Sequence, residues 1–159
     1  MLDNCTDNKE RWNAVEGLLQ TWLRERRDIL VRYAALAATL DHTDDSEALQ
    51  SGLRGLCQIL VDYVSLGHFE VFYELIREAE AFADGSGKLA SDLIPRIGDT
   101  TEVILGFDEK YPLPEGSIAD YTADLSLLGE ILETRFELED TLIAGMHKAH
   151  AALVTNPGA

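Results

Sequence analysis

Apolar residues recur every three or four positions along most of the chain, a spacing that predicts helices rather than strands. The first segment shows this spacing most clearly, and Thr6 or Asp7 is placed to cap its start. Its stripe contains eight apolar or aromatic residues and one charge: Trp12, Val15, Leu19, Trp22, Arg26, Ile29, Tyr33, Leu36 and Leu40. A stripe of this length predicts one long amphipathic helix.

Three more helical segments follow, and the stretches DHTDDSE, ADGSGK and YPLPEGS are predicted to be the loops between them. In the second segment, Ser65-Leu66-Gly67 is expected to bend or end the helix, because glycine weakens its continuation. In the third, Pro95 predicts a kink or a restart. The fourth helix is expected to run from about residue 117 to about residue 152.

These helices predict an all-α fold, an antiparallel four-helix-type bundle with broken or kinked helices. The chain has 159 residues, of which 46% are hydrophobic, so it is large enough for one sizeable core. We expect a single domain over residues 1–159, ordered from about residue 7 to residue 152, with residues 153–159 as a frayed tail.

The charge of the chain is strongly negative and unevenly distributed. Its 13 Lys and Arg residues against 29 Asp and Glu give a formal net charge of −16. Residues 1–32 hold six residues of each sign, so the seven basic and 23 acidic residues of 33–159 carry the whole excess. Such a surface repels phosphate backbones, which disfavours direct nucleic-acid binding and favours a basic protein partner.

Other classes of protein find little support in the sequence. The two cysteines, Cys5 and Cys57, show no metal-ligand spacing and differ in surroundings, so we expect no disulfide framework. The start of the chain lacks the basic and apolar regions of a signal peptide, and no segment reaches the length of a membrane span. A cytoplasmic protein is the simplest expectation.

Charged residues interrupt the apolar stripes of two helices. Arg135 and Glu139 lie on the line of the last helix, and Arg26 lies on that of the first. Because an unpaired buried ion costs several kcal/mol, these side chains must pair or line an opening to solvent. Two interpretations remain open: a polar layer that fixes the register of the helices, or a polar pocket that a partner or ligand enters.

Asp62 shows the opposite pattern, since it lies about 180° from the centre of the apolar side of its helix. Ile59 and Leu66 flank it on the outer side, so the three residues form a candidate contact patch. The alternative is that this helix is covered on both sides, with Asp62 satisfied internally.

No arrangement of residues supports catalysis, a cofactor or a metal site. His147 and His150 are three apart, but no carboxylate stands at the spacing of a Glu-x-x-His motif. His68 lies near Asp62 without a nucleophile, and an exposed or locally bonded imidazole is expected there. ADGSGK lacks the strand that precedes a phosphate-binding loop.

Three segments resemble the signature segments of the Rsd/AlgQ family of sigma-factor regulators: TWLRERRDILV (Thr21–Val31), CQILVDYVSLGHFEV (Cys57–Val71) and RFELEDTLI (Arg135–Ile143). The start, MLDNCTDNKERW, is similar to the AlgQ branch. The family usually has Phe where this chain has Leu56, and Ala where it has Leu66. Both changes are apolar, although Leu66 alters the shape of the contact surface.

The resemblance implies a helical anti-sigma factor that binds the C-terminal domain, region 4, of the housekeeping sigma-70-class factor and reduces its use by RNA polymerase, typically as growth slows. The family's sigma-binding Asp corresponds to Asp62. The expected partner-binding residues are Asp62, Ile59, Leu66, His68 and Phe69, with Arg24 and Arg27 as further candidates. Oligomeric state is not indicated. The alternatives are a module for another basic protein, and a small-ligand or metal sensor that uses the interior around Arg26, Arg135 and Glu139.

Overall fold

The computed structural model describes residues 7–42, 46–111 and 118–155, which are helical almost throughout and contain no strand. The elements in chain order are α1 (Asn8–His42), α2 (Ser46–Leu66), a π-helical turn (Gly67–Val71), α3 (Phe72–Phe82), α4 (Gly87–Lys110), α5 (Ile118–Met146), a 3₁₀ turn (Lys148–His150) and α6 (Ala151–Thr155). The predicted all-α bundle is confirmed.

The long helices pack around one apolar core, with α1 against α2 and α4 against α5. On α1 the predicted stripe is the buried side, and Val15, Trp22 and Ile29 are fully inaccessible to solvent. The predicted cap is also present, because Asp7 Oδ1 accepts a hydrogen bond from the Glu10 amide at 2.7 Å. The side of each helix that packs inward is therefore set by its apolar spacing.

Of the bend or end predicted at Ser65-Leu66-Gly67, the end was wrong, because the helix continues there as a π-helical turn. Leu66 and Phe72, on either side of the π-helical turn, both have right-handed helical dihedrals, so α2 and α3 form one continuous rod. Gly67 packs against Trp22, and a Cβ added to this glycine would lie 3.0 Å from Trp22 Cζ2. The wider π turn admits an extra residue, and Phe69 is 74% exposed although it stands only three residues before the buried Phe72.

The predicted restart at Pro95 was also wrong, since α4 passes through this residue without interruption. Pro95 is exposed, so the carbonyl that loses its usual helical donor faces solvent. The buried side of α4, which includes Leu93, Ile97 and Ile104, keeps its spacing across the proline.

The last helix ends earlier than predicted, at Met146, where His147 adopts a φ of −110°. The break changes which residues face inward. The line through Arg135 and Glu139, continued in steps of three and four residues, reaches positions 149 and 153, which are exposed, whereas His147, His150 and Val154 are buried. Residues 153–155, expected to belong to a frayed tail, are part of helix α6, and residues 156–159 lie outside the described part of the chain.

Several expectations concern residues that the structure does not describe, among them Cys5, Thr6 as a helix cap, residues 43–45 of the DHTDDSE loop and most of the YPLPEGS connector. Cys57 is buried and unpaired, and burial, followed by the neighbouring Asp108, raises the pKa of its thiol to about 12. Within the described ranges, every helix is too short or too polar to span a bilayer.

Candidate partner-binding surface

The three interior charges meet around one carboxylate. Arg135 Nε lies 3.0 Å from Glu139 Oε2, and Arg26 Nη2 lies 3.1 Å from Glu139 Oε1. Arg135 and Glu139 are fully inaccessible to solvent. Tyr63 completes the group, because its hydroxyl donates to Glu139 Oε1 at 2.5 Å. Burial raises the pKa of Glu139, while Arg135, Tyr63 and Arg26 act in the opposite sense.

The network extends from the core in two directions. Towards α4, Arg135 Nη1 donates to the hydroxyls of Thr101 and Thr100 at 2.6 and 3.2 Å. Towards the surface, Arg26 Nη1 bonds Asp140 Oδ1 at 2.6 Å. These contacts arrange the charges as a polar layer joining α1, α2, α4 and α5. Within the described residues, Arg135 Nη2 is left without a hydrogen-bond partner.

Asp62 is exposed on the outer side of α2, as the helical spacing predicted. Its only described hydrogen bond is a long one, with Gln58 Nε2 at 3.4 Å from Asp62 Oδ1. Ile59 and Leu66, one turn away on either side, are half-buried and pack against the core. Asp62 therefore projects from the outer side of α2 between two aliphatic residues. The described part of the chain gives it no cationic partner.

An acidic cluster crosses the seam between α1 and α2. It consists of Asp62 together with Glu25 and Asp28 of α1, and we call it the acidic triad. Burial, followed by the charges of Asp62 and Asp28, raises the pKa of the Glu25 carboxyl. Glu25 Oε2 is shielded from solvent and has no hydrogen-bond partner among the described residues. No member of the triad forms an ion pair with a Lys or Arg in the described part of the chain, so its negative charges are available to a cation from a partner.

Sequence reasoning missed Glu25 and Asp28, although a signal for them was present. They are three residues apart within TWLRERRDILV and lie on the flank of the apolar stripe of α1. Residues at this spacing share one side of a helix, and the packing of α1 against α2 brings that side to Asp62.

His68 and Phe69 lie in a different place, the groove between the π-helical turn and α4. The groove is lined by Val64, Ser65, His68, Phe69, Gly98, Thr101 and Leu105. His68 Nε2 lies 2.8 Å from Thr101 Oγ1, the hydroxyl that also accepts from Arg135. The imidazole of His68 is thus half-buried and locally bonded. Burial, then the charge of Arg135, lowers its pKa.

Arg24 and Arg27 are both exposed on α1, but they do not extend the seam. Residues 25 and 27 are about 200° apart around the helix axis, so Arg27 lies away from the flank that meets Asp62. Arg24 lies one turn before Asp28. The candidate residues are thus divided between the α1–α2 seam, the α2–α4 groove and the outer side of α1.

A metal site is not formed by the described side chains, which contain no cluster of three or more His, Cys, Asp or Glu residues arranged to hold an ion.

The sequence matches known regulators of transcription over most of its length. The family model described as "Regulator of RNA polymerase sigma(70) subunit, Rsd/AlgQ" matches residues 1–147. A "Regulator of sigma D" from Yersinia pseudotuberculosis is 30% identical over 147 residues, covering 90% of this chain and 87% of the relative. One from Enterobacter sp. is 32% identical over 148 residues, with 91% and 88% covered. No solved structure matched the chain.

Proposed function

Because the chain belongs to the Rsd/AlgQ family of regulators of the RNA polymerase sigma(70) subunit, we propose that it is an anti-sigma factor that binds the housekeeping sigma factor. The contact is made with region 4, the C-terminal domain of sigma that reads the upstream promoter element. Occupying that domain removes it from promoter DNA and from core polymerase, so use of this sigma factor falls. The regulator needs no chemistry of its own.

The acidic triad is the observation that carries the proposal. Asp62 is exposed, Glu25 has a shielded oxygen without a partner, and the charges of Asp62 and Asp28 disfavour ionisation of Glu25. An Arg or Lys from a DNA-reading helix relieves this repulsion when it enters the seam. Since a domain that grips DNA must present basic side chains, the triad and its proposed partner are complementary in charge.

Apolar contacts next to the triad hold the complex together in this proposal. Ile59 and Leu66 border Asp62, and Phe69 projects from the rod three residues beyond Leu66. Exclusion of water by such residues strengthens a charged pair at the centre of an interface. The groove beside His68 gives a second apolar surface. Arg24, one turn before Asp28, is placed at the rim, where charges contribute mainly to the rate of association, whereas Arg27 faces away from the seam.

The test is direct binding of purified region 4 to the full chain, measured by calorimetry. Asp62→Ala is expected to weaken binding by on the order of 2–5 kcal/mol, since it removes one partner of a desolvated charge pair. Asp92→Ala is the matched control, because Asp92 is an exposed aspartate on α4. A folded Asp62→Ala protein that binds region 4 with unchanged affinity contradicts the proposed role of Asp62.

Failure of region 4 to bind the unaltered chain contradicts the proposed contact with region 4. The same titration against full-length sigma factor separates the two remaining cases. Binding to full-length sigma without binding to region 4 moves the contact to another sigma domain. Binding to neither leaves the triad as a site for a different basic protein.

A further inference from the structure

Two buried histidines at the end of α5 contact three carboxylates in an alternating chain. His147 Nδ1 lies 2.8 Å from Glu78 Oε1, and His147 Nε2 lies 2.6 Å from Glu16 Oε2. His150 Nδ1 lies 3.0 Å from the other oxygen of Glu78, and His150 Nε2 lies 2.7 Å from Asp84 Oδ2. Every ring nitrogen of the two histidines therefore has a carboxylate oxygen within hydrogen-bonding distance.

Aromatic rings cover this chain of residues. Trp12 stacks on His147 with ring centroids 4.5 Å apart, and its indole nitrogen donates to the His147 carbonyl at 2.9 Å. Phe82 stacks on His150 at 4.2 Å. His147, His150 and Glu78 have no exposed surface, whereas the side chains of Glu16 and Asp84 at the two ends are 37% and 38% exposed.

With the three acids ionised, the four contacts can all be hydrogen bonds only if the histidines carry a proton on both nitrogens. A neutral imidazole has one N–H donor and one acceptor nitrogen, so only its protonated form donates from both nitrogens. If both rings are protonated and the three acids ionised, the charges of these five side chains alternate in sign and sum to −1. If both rings are neutral, the ionised and fully buried Glu78 is left with no cation beside it, which is strongly unfavourable.

We propose that Glu16, His147, Glu78, His150 and Asp84 form a pH-sensitive latch that holds residues 148–155 on the bundle while His147 is protonated, and releases them when His147 is neutral. The latch joins the start of α1, the inner side of α3, the turn that follows α3, and the C-terminal segment. The family match ends at residue 147, so the segment that the latch holds lies beyond it.

The charged groups around the histidines are consistent with a protonated His147 in the closed latch. Glu16 faces them from α1, Glu78 from α3 and Asp84 from the turn, while Glu74 lies one turn before Glu78 and 3.8 Å from Arg11. Burial opposes protonation of His147, but its bonds to Glu78 and Glu16 prevail and raise its pKa. A pKa raised in the folded state stabilises the closed latch below the ordinary histidine pKa, and that stability is lost as pH rises through the raised value.

Two measurements on the full chain test the latch. Histidine ring NMR is expected to show His147 protonated on both nitrogens at pH 6.5. Amide hydrogen exchange is expected to show protection factors in residues 151–155 that fall as pH rises further, while those of α2 hold. A neutral His147 ring at pH 6.5, or protection in α6 that does not change with pH, overturns the proposal.

Variants at the partly exposed ends keep the test independent of the buried centre. Glu16→Gln and Asp84→Asn each replace one carboxylate by a neutral amide, and the pH at which α6 loses protection is expected to shift downward. Glu80→Gln is the matched control, since Glu80 is exposed on the same helix as Glu78. If α6 loses protection at the same pH in all three variants, the carboxylates do not set the pH response, and the latch is rejected.

Discussion

Arg135 and Glu139 lie one helical turn apart on α5, both without exposed surface, with 3.0 Å between Arg135 Nε and Glu139 Oε2. Neither charge reaches water, so each depends on the other and on neighbouring polar groups. Tyr63 from α2, Arg26 from α1 and the threonines of α4 supply those groups. Of the two interpretations, the geometry favours a polar layer that fixes the alignment of four helices. It does not favour an open pocket that a ligand enters.

Removing one partner of this layer is expected to destabilise the fold severely. Arg135→Met leaves Glu139 buried with less compensation, and breaking a buried pair in this way costs about 3–5 kcal/mol. Chemical denaturation measures the free energy of unfolding. The control is Glu137→Gln, an exposed position on the same helix. A loss below about 1 kcal/mol for Arg135→Met shows that the layer contributes little to stability.

Removing the charge of Asp62 is expected to lower the pKa of Glu25. The charge of Asp62 is the second cause of the raised value, after burial, so Asp62→Asn leaves burial and Asp28 to act alone. NMR titration of the side-chain carboxyl carbons gives the shift directly. Asp92→Asn is the control, and an unchanged Glu25 titration in Asp62→Asn contradicts the coupling of the two carboxylates.

The same coupling gives sigma binding a pH dependence. A cation that enters the acidic triad stabilises ionised Glu25, so complex formation lowers the raised pKa of this group. The free protein then takes up a proton more readily than the complex. Affinity is therefore expected to increase as pH rises from the pKa in the complex to the raised pKa of the free protein, with release of protons on binding. Calorimetry in buffers of different ionisation enthalpy measures that release.

Gly67→Ala is expected to destabilise the rod where it crosses α1. The added Cβ would lie 3.0 Å from Trp22 Cζ2, and Trp22 is fixed by stacking on Tyr63 at 4.7 Å and by its bond to the Tyr63 carbonyl. Overpacking of this kind costs typically 1–3 kcal/mol. Gly98→Ala is the control, because nothing lies within 4 Å of a Cβ there. Thermal unfolding of the two variants separates close packing from helix propensity, which favours alanine at both positions.

The apolar spacing was sufficient to predict the helices, the bundle and the inward side of α1, because burial of apolar surface controls all three. It was insufficient where polar contacts override that spacing. His147 and His150 interrupt α5 because their partners, Glu16, Glu78 and Asp84, come from three other parts of the chain. The acidic triad was missed for a related reason: the repulsion between Asp62 and Glu25 exists only after α1 and α2 have packed.

Substitution of Phe69 distinguishes the contribution of the groove to the proposed complex from the contribution of the acidic triad. The residue is 74% exposed, so Phe69→Ala is expected to change the free energy of unfolding by no more than about 0.5 kcal/mol. An aromatic anchor at an interface contributes on the order of 2 kcal/mol or more, and its loss appears mainly as faster dissociation. Leu153→Ala, 57% exposed on α6, is the matched control. If the dissociation rate from region 4 is the same for both variants and the unaltered protein, the apolar contacts of the complex lie elsewhere, and the triad acts without the groove.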